Sequence, residues 1–216
     1  MKKLAVLISL LMMTGCASVE MIKASPEKIS SINGKTLTTV NYEKPDFIAS
    51  TPEKAMFGVL GVIAMVSAGN DLVKNNNIDD PAVMLTKELK NKLADRLKSK
   101  EIKEVINLSD DSTNEIKKTV EAGSLVFDVK TLGWTFNYFP TNWTHYRVIY
   151  SARARLLDPV DGKIIAQVPC TYVSDDEKTA ASYDQLTANN ASLLKEKLTA
   201  AAKACGTIFE QNIFAG

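Results

Sequence analysis

The chain has 216 residues, 45% apolar and 24% charged, enough to bury one core and unlike a disordered or collagen-like composition. With 26 Lys and Arg against 25 Asp and Glu the formal charge is +1, which disfavours nucleic acid or any strongly charged surface as a partner. Three cysteines and one histidine leave little from which to build a zinc site or a His-based catalytic centre.

Met1-Lys2-Lys3 precedes an apolar run from Leu4 to Met13, closed by Thr14-Gly15-Cys16, the positive, apolar and small-residue order of a secretory signal. The run is shorter than the roughly 20 residues a helix needs to cross a bilayer. Met13-Thr14-Gly15-Cys16 resembles the bacterial lipobox. That resemblance implies removal of the signal peptide, residues 1–15, and acylation of Cys16 on its sulfur and on the new amino group. Each buried methylene contributes about 0.8 kcal/mol, so several acyl chains on one residue hold lastingly where one binds reversibly. Ala17 and Ser18 follow where lipoproteins kept at the inner membrane often carry Asp, so the resemblance places the protein at the periplasmic face of a Gram-negative outer membrane. Residues 16–34, rich in Ser, Lys, Glu and Pro, read as a lipidated tether, or else as an irregular arm packed on the domain. A single α/β domain then occupies residues 35–216.

Thr36 to Val40 is rich in β-branched residues and reads as the first strand, after which Pro45 and Pro52 interrupt regular structure. Ala55 to Ala68 carries no charge and has the length of a buried core helix; Gly58 and Gly61 also suit a self-association or membrane-surface face. Asp80-Pro81 is an N-cap followed by proline at the first helical position, and a helix to about Ser99 buries Leu85, Leu89, Leu93 and Leu97. Its lysines form a solvated face. Lys103 to Leu108 suits a short strand, and Ser112 with Glu115 a capping box for a helix ending near Gly123, with Ile116 and Val120 inward.

The period then turns from helical to alternating over Ser124–Tyr138, His145–Leu157 and Lys163–Val173, three strands joined by short turns at Pro140 and at Asp158–Gly162. In the middle strand Tyr146, Val148, Tyr150, Ala152, Ala154 and Leu156 share the core face, with Arg147, Arg153 and Arg155 opposite. The fold class is therefore α/β (α+β): a mixed sheet ending in an antiparallel three-stranded meander, with helices packed on it. Cys170 shares a strand face with Ala166 and Val168, and Cys205 falls in the helical series Leu194, Leu198, Ala201. Both face the core in an oxidising compartment, which favours a Cys170–Cys205 disulfide pinning the C-terminal helix to the sheet; two buried reduced thiols are the other reading.

Leu125-Val126-Phe127-Asp128-Val129, Tyr146-Arg147-Val148 and Ala154-Arg155-Leu156-Leu157-Asp158 followed by Asp161-Gly162-Lys163 resemble the α/β domain of the curli-secretion lipoprotein, the lipoprotein activators of penicillin-binding proteins and the N-terminal domain of TolB. The resemblance implies a role in envelope assembly and carries no catalytic residues.

Enzymatic motifs are missing from the sequence. No CxxC, HExxH, phosphate-binding glycine loop or EF-hand spacing occurs, so no metal and no cofactor is expected. His145 begins a strand and reads as a turn histidine, while Asp79-Asp80, Asp110-Asp111 and Asp175-Asp176 read as caps. Seven aromatics crowd between Trp134 and Tyr150, with Trp134, Phe136 and Tyr138 alternating onto one face. Phe139 and Trp143 flank the Pro140 turn, where burial is harder, and together with Arg147 they form the expected partner-binding site. The leading expectation is a non-enzymatic outer-membrane lipoprotein that binds an envelope protein or its own copies. The alternative is an accessory or carrier lipoprotein of a transport system that binds lipid or a small amphiphile.

Overall fold

The structure, a computed structural model, describes residues 19–213, the side chains of Val105 and Ile106 excepted. The signal peptide and Cys16 lie outside the described residues. The β-branched run forms β1 (Leu37–Tyr42), which pairs in parallel with both β3 (Ile102–Leu108) and β4 (Leu125–Phe139). Leu37, Thr38, Thr39 and Val40 are buried in succession, because this part of the sheet is covered on both faces. β4, β5 (Asn142–Asp158) and β6 (Lys163–Val173) make the expected antiparallel meander, and the order across the sheet is β3-β1-β4-β5-β6. Short β2 (Phe47–Ala49) continues beside the far half of β4, and β7 (Ala181–Ser182) pairs with the start of β5.

The main core lies between one sheet face and helices α1 (Pro26–Ile32), α3 (Gly58–Asn75), α4 (Pro81–Arg96) and α6 (Tyr183–Ile213). Asp80 caps α4 by accepting from the Ala82 N–H at 2.9 Å, and Leu85, Leu89, Leu93 and Leu97 are buried as their spacing predicts. A smaller cluster of Val40, Leu108, Ile116, Val120, Val126 and Leu157 sits on the opposite face under α5 (Thr113–Thr119). The capping pair is half realised. Ser112 accepts from the Glu115 N–H, while its own N–H is taken by Asp110 at 3.1 Å, and the helix stops short of Gly123.

The Cys170–Cys205 disulfide is present, its Cα atoms 5.6 Å apart, and ties α6 to β6. α6 is interrupted at Ala188–Ala191, where Asn189, Asn190 and Ala191 have positive φ. In β4 the register slips at Leu132, one extra residue opposite β5. The inward set therefore changes from Phe127 and Val129 to Trp134 and Phe136.

Two expectations are corrected. The segment 16–34 is not a free tether over its described part: Ile22 bridges Gln167 of β6 through backbone bonds of 2.7 and 2.8 Å, and Ile32 is 1% exposed in the main core. Ser25-Pro26, which by composition resembles a linker, is a helix start, with Ser25 capping Lys28 and Pro26 at the first helical position. Nor is the Ala55–Ala68 segment a buried core helix. α2 (Pro52–Ala55) and the first half of α3 form a corner from which Met56, Phe57, Val59, Leu60, Val62 and Ile63 project with 54–79% exposure.

Candidate functional site

A buried ionic cluster sits on the outer sheet face beside α5. Asp128, 0% exposed, accepts two bonds from Arg155 Nε (3.1 and 3.0 Å), one from Arg155 Nη2 (2.6 Å) and one from the Tyr42 hydroxyl (2.8 Å). Asp111 lies alongside, accepting from Lys130 and Arg153 at 2.7 Å each. Burial pushes the Arg155 guanidinium down, but the Asp128 carboxylate outweighs it and raises the value overall. Every carboxylate here is matched by a cation, so the cluster is a structural clasp between β4, β5 and the loop before α5.

Burial also pushes Asp111 up, yet the bonds and charges of Lys130 and Arg153 prevail and hold its carboxyl at about 2, below its ordinary 3.8. A depressed acid stabilises the fold above its unfolded value and loses that contribution as the pH falls through the folded value. Stability is therefore expected to decline between about pH 4 and pH 2 by on the order of 1–2 kcal/mol from this residue. Urea melts across that range check it: Asp111→Asn should be less stable at pH 6 and flatter in acid, and an unchanged acid slope would refute the assignment.

Asp80 is the one member of the Asp79-Asp80 pair that turns inward; besides capping α4 it accepts from the Thr131 hydroxyl, which lies 3.1 Å from the Tyr150 hydroxyl. Burial pushes its carboxyl up against the pull of those hydrogen bonds. The His145 ring Nδ1 lies 2.9 Å from Thr144 Oγ1 and 3.1 Å from Asn142 Oδ1, and the Thr144 hydroxyl and the Thr144 N–H also lie against Asn142 Oδ1, an Asn-centred turn arrangement. Among the described residues no group of three or more His, Cys, Asp or Glu could hold a metal ion, and no helix is long and apolar enough to cross a membrane.

The three residues expected to bind a partner are separated into two environments. Trp143 is 59% exposed at the end of the β4–β5 hairpin, its indole donating to the Pro140 carbonyl at 3.0 Å. Phe139, expected to be exposed, is 8% exposed: its ring lies under the Arg147 guanidinium, 5.3 Å away, and this stacking removes both from the turn itself. Beyond them the outer sheet face is open. Thr171 and Val173 of β6 are exposed, Ile149 and Ser151 of β5 half-buried, and the apolar cluster under α5 includes no residue from this half of the sheet.

The second unpartnered surface is the α2–α3 corner. Its inward stripe is Gly61, Met65, Gly69 and Val73, one residue per turn. A Cβ at Gly69 would lie 1.9 Å from the Phe47 carbonyl oxygen, and one at Gly61 1.9 Å from that of Lys54, so glycine permits the close approach. Sequence periodicity did not single out this face, because a helix apolar all round offers no polar side to orient it. The signal that was available is that no charge occurs between Ala55 and Asn70 and that Gly61 and Gly69 recur at a four-residue multiple on the side that meets the domain.

The corner and the hairpin turn lie at one end of the sheet. β2 runs parallel to β4 toward that turn, the Ser50 N–H donates to the Phe136 carbonyl, and Glu53 is close enough to add to the burial that pushes the Tyr146 hydroxyl up to about 12.

No family model matches the chain, and no curated protein matches it. Among solved structures it is similar to a Helicobacter pylori protein described as a neuraminyllactose-binding hemagglutinin homologue, at 11% identity and TM-score 0.34, over 83% of each chain. A Xanthomonas campestris protein of the DUF330 family matches at 14% identity and TM-score 0.40 over 87% of this chain and 91% of its own. A lipoprotein of Neisseria meningitidis matches at 14% identity and TM-score 0.27 over 79% and 96%. Likenesses of this size assign neither a family nor a function.

Proposed function

We propose that this protein is a non-enzymatic lipoprotein, acylated on Cys16 and held at the periplasmic face of the outer membrane, whose α/β domain binds another envelope protein in assembly. The observation that carries the reading is the uncovered half of the outer sheet face, a flat apolar and hydroxyl surface from Ile149 and Ser151 to Thr171 and Val173, rimmed by Trp143 and Arg147. Interface hot spots are enriched in Trp and Arg, and a fold-neutral exposed Trp at the rim of such a face is suited to that role. The likeness of β4–β6 to the curli-secretion and penicillin-binding-protein-activator type of domain is in keeping with it. A carrier of amphiphiles would need an enclosed apolar cavity, whereas the groove of about 690 Å³ beside α4 sets Glu43, Lys44, Asp79, Asp80 and Lys87 beside Tyr42, Val83 and Leu108, and the more apolar groove between α4 and α6, with Ile78, Met84 and Leu198, is about 330 Å³.

A photo-crosslinker placed at Thr171 in intact cells is expected to capture one envelope protein. Trp143→Ala should weaken that capture by about 2 kcal/mol, roughly 30-fold in Kd, while shifting stability by no more than about 0.5 kcal/mol. Unchanged capture, or a large fall in melting temperature for Trp143→Ala, would remove this face from consideration.

A further inference from the structure

We infer that the protein which covers the open half of the outer sheet face presents a carboxylate there, an Asp or Glu on the segment it lays across β5 and β6, and that Arg147 receives it. The inference rests on the reading of that face proposed above and names the chemistry of its occupant. Thr135 and Asn137 of β4, Ile149 and Ser151 of β5, and Thr171 and Val173 of β6 share this half of the face with Arg147 in register, and none carries a charge. The Arg147 guanidinium lies 5.3 Å from the centre of the Phe139 ring and makes no hydrogen bond and no ion pair among the described residues; its Nε is buried without an acceptor.

The acceptors around it are committed elsewhere. Asn137, directly across in β4, takes the Thr135 hydroxyl on its Oδ1. Beyond the end of β6, Asp175 is held by Lys197 of α6, Asp176 accepts the Lys178 and Thr179 N–H groups, and Glu177 accepts the Thr141 hydroxyl. The other half of the same face is different, for there Lys130 and Arg153 share Asp111 and Arg155 holds Asp128. A guanidinium stacked on an aromatic ring is tolerated without a counter-charge only while water reaches its remaining donors. A partner laid over Ile149 and Val173 removes that water, and a cation buried without a counter-charge weakens binding steeply. The partner therefore supplies the charge. One carboxylate matches one guanidinium, whereas a phosphorylated or anionic lipid surface is held by clusters of Lys and Arg, and the next cations along this face are already neutralised by Asp111. A planar guanidinium fixed by stacking offers a carboxylate two parallel N–H groups, so the contact sets orientation as well as charge. Neutral segments that fit the flat face equally well are rejected by the cost of leaving Arg147 dry and unpaired.

The test places a photo-crosslinker at Val173 in intact cells, opposite Ile149 in the register and so nearer to Arg147 than Thr171 is. Arg147→Met keeps the apolar stem over Phe139 and removes the charge, while Arg147→Glu reverses it. Each is expected to lower the adduct yield at least about tenfold, with the melting temperature of Arg147→Met unchanged to within about 2 °C. The captured peptide, sequenced from the adduct, is expected to carry an Asp or Glu. Replacing that acid by Arg in its own chain should restore capture by the Arg147→Glu variant and abolish capture by the wild type. This exchange decides the outcome even where Arg147→Met lowers the melting temperature, since a fold defect is not repaired by a change in the partner. Capture undiminished in Arg147→Glu, a captured peptide without an acidic residue, no restoration by the exchange, or adducts from Thr171 with none from Val173 would overturn the carboxylate while the binding face stands. Adducts to second copies of this chain alone would overturn it in favour of self-association. No adduct from either position would overturn the face and the carboxylate together.

Discussion

Asp128→Ala is expected to destabilise the domain by about 3–5 kcal/mol, the largest effect of any single polar substitution considered for this protein. The carboxylate is fully buried and accepts three bonds from the Arg155 side chain and one from Tyr42, so its removal leaves a buried guanidinium held only by the Tyr42 hydroxyl, the Asp111 carbonyl and the Asp111 carboxylate 4.0 Å away. Most of the loss is the cost of that poorly compensated charge rather than the strength of the pair itself. Replacing both partners by apolar residues of similar size, Asp128→Leu with Arg155→Met, should therefore recover most of the stability that Asp128→Ala alone loses. Denaturant melts of the two single variants and the double variant check this. If the double variant is no better than the worse single one, the clasp owes its value to the ion pair and not to the avoidance of an orphan charge.

Removing the Cys170–Cys205 bond is expected to cost about 3–4 kcal/mol, the chain-entropy value for a loop of 35 residues, and to lower the melting temperature by on the order of 10 °C. Cys170→Ala/Cys205→Ala is the appropriate variant, since both positions are buried and alanine adds no polar group. The bond joins the last helix to the meander, across the kink at Ala188–Ala191, so proteolysis of the variant should begin in residues 183–213. A melting temperature unchanged by the double substitution would mean that packing of Leu194, Leu198, Ala201 and Phe209 already holds α6 without it.

The meander, the leucine helix and the disulfide were legible in the sequence because each is written in local chemistry. Alternation of Tyr146, Val148, Tyr150, Ala152 and Ala154 orients a strand without reference to its neighbours, Asp80-Pro81 starts a helix, and Cys170 and Cys205 each fall on the inward face of their own element, where they can meet. What covers each face was decided only by the tertiary structure. Ser25-Pro26-Glu27 has the composition of a linker and the caps of a helix, and the pairing of Ile22 with Gln167 settles which prevails. Phe139 lies at the edge of a turn where exposure is the rule, yet Arg147, opposite Asn137 in the register, closes over it. The Ala55–Ala68 segment is the plainest case. An apolar stretch of helix states that it avoids water, but whether the domain itself supplies the cover depends on how many neighbours surround it. Here β2 and α2 meet one side of α3 through two glycines and leave the other side bare. Burial is a property of the neighbours a segment finds across the chain, and no local pattern records how many there will be.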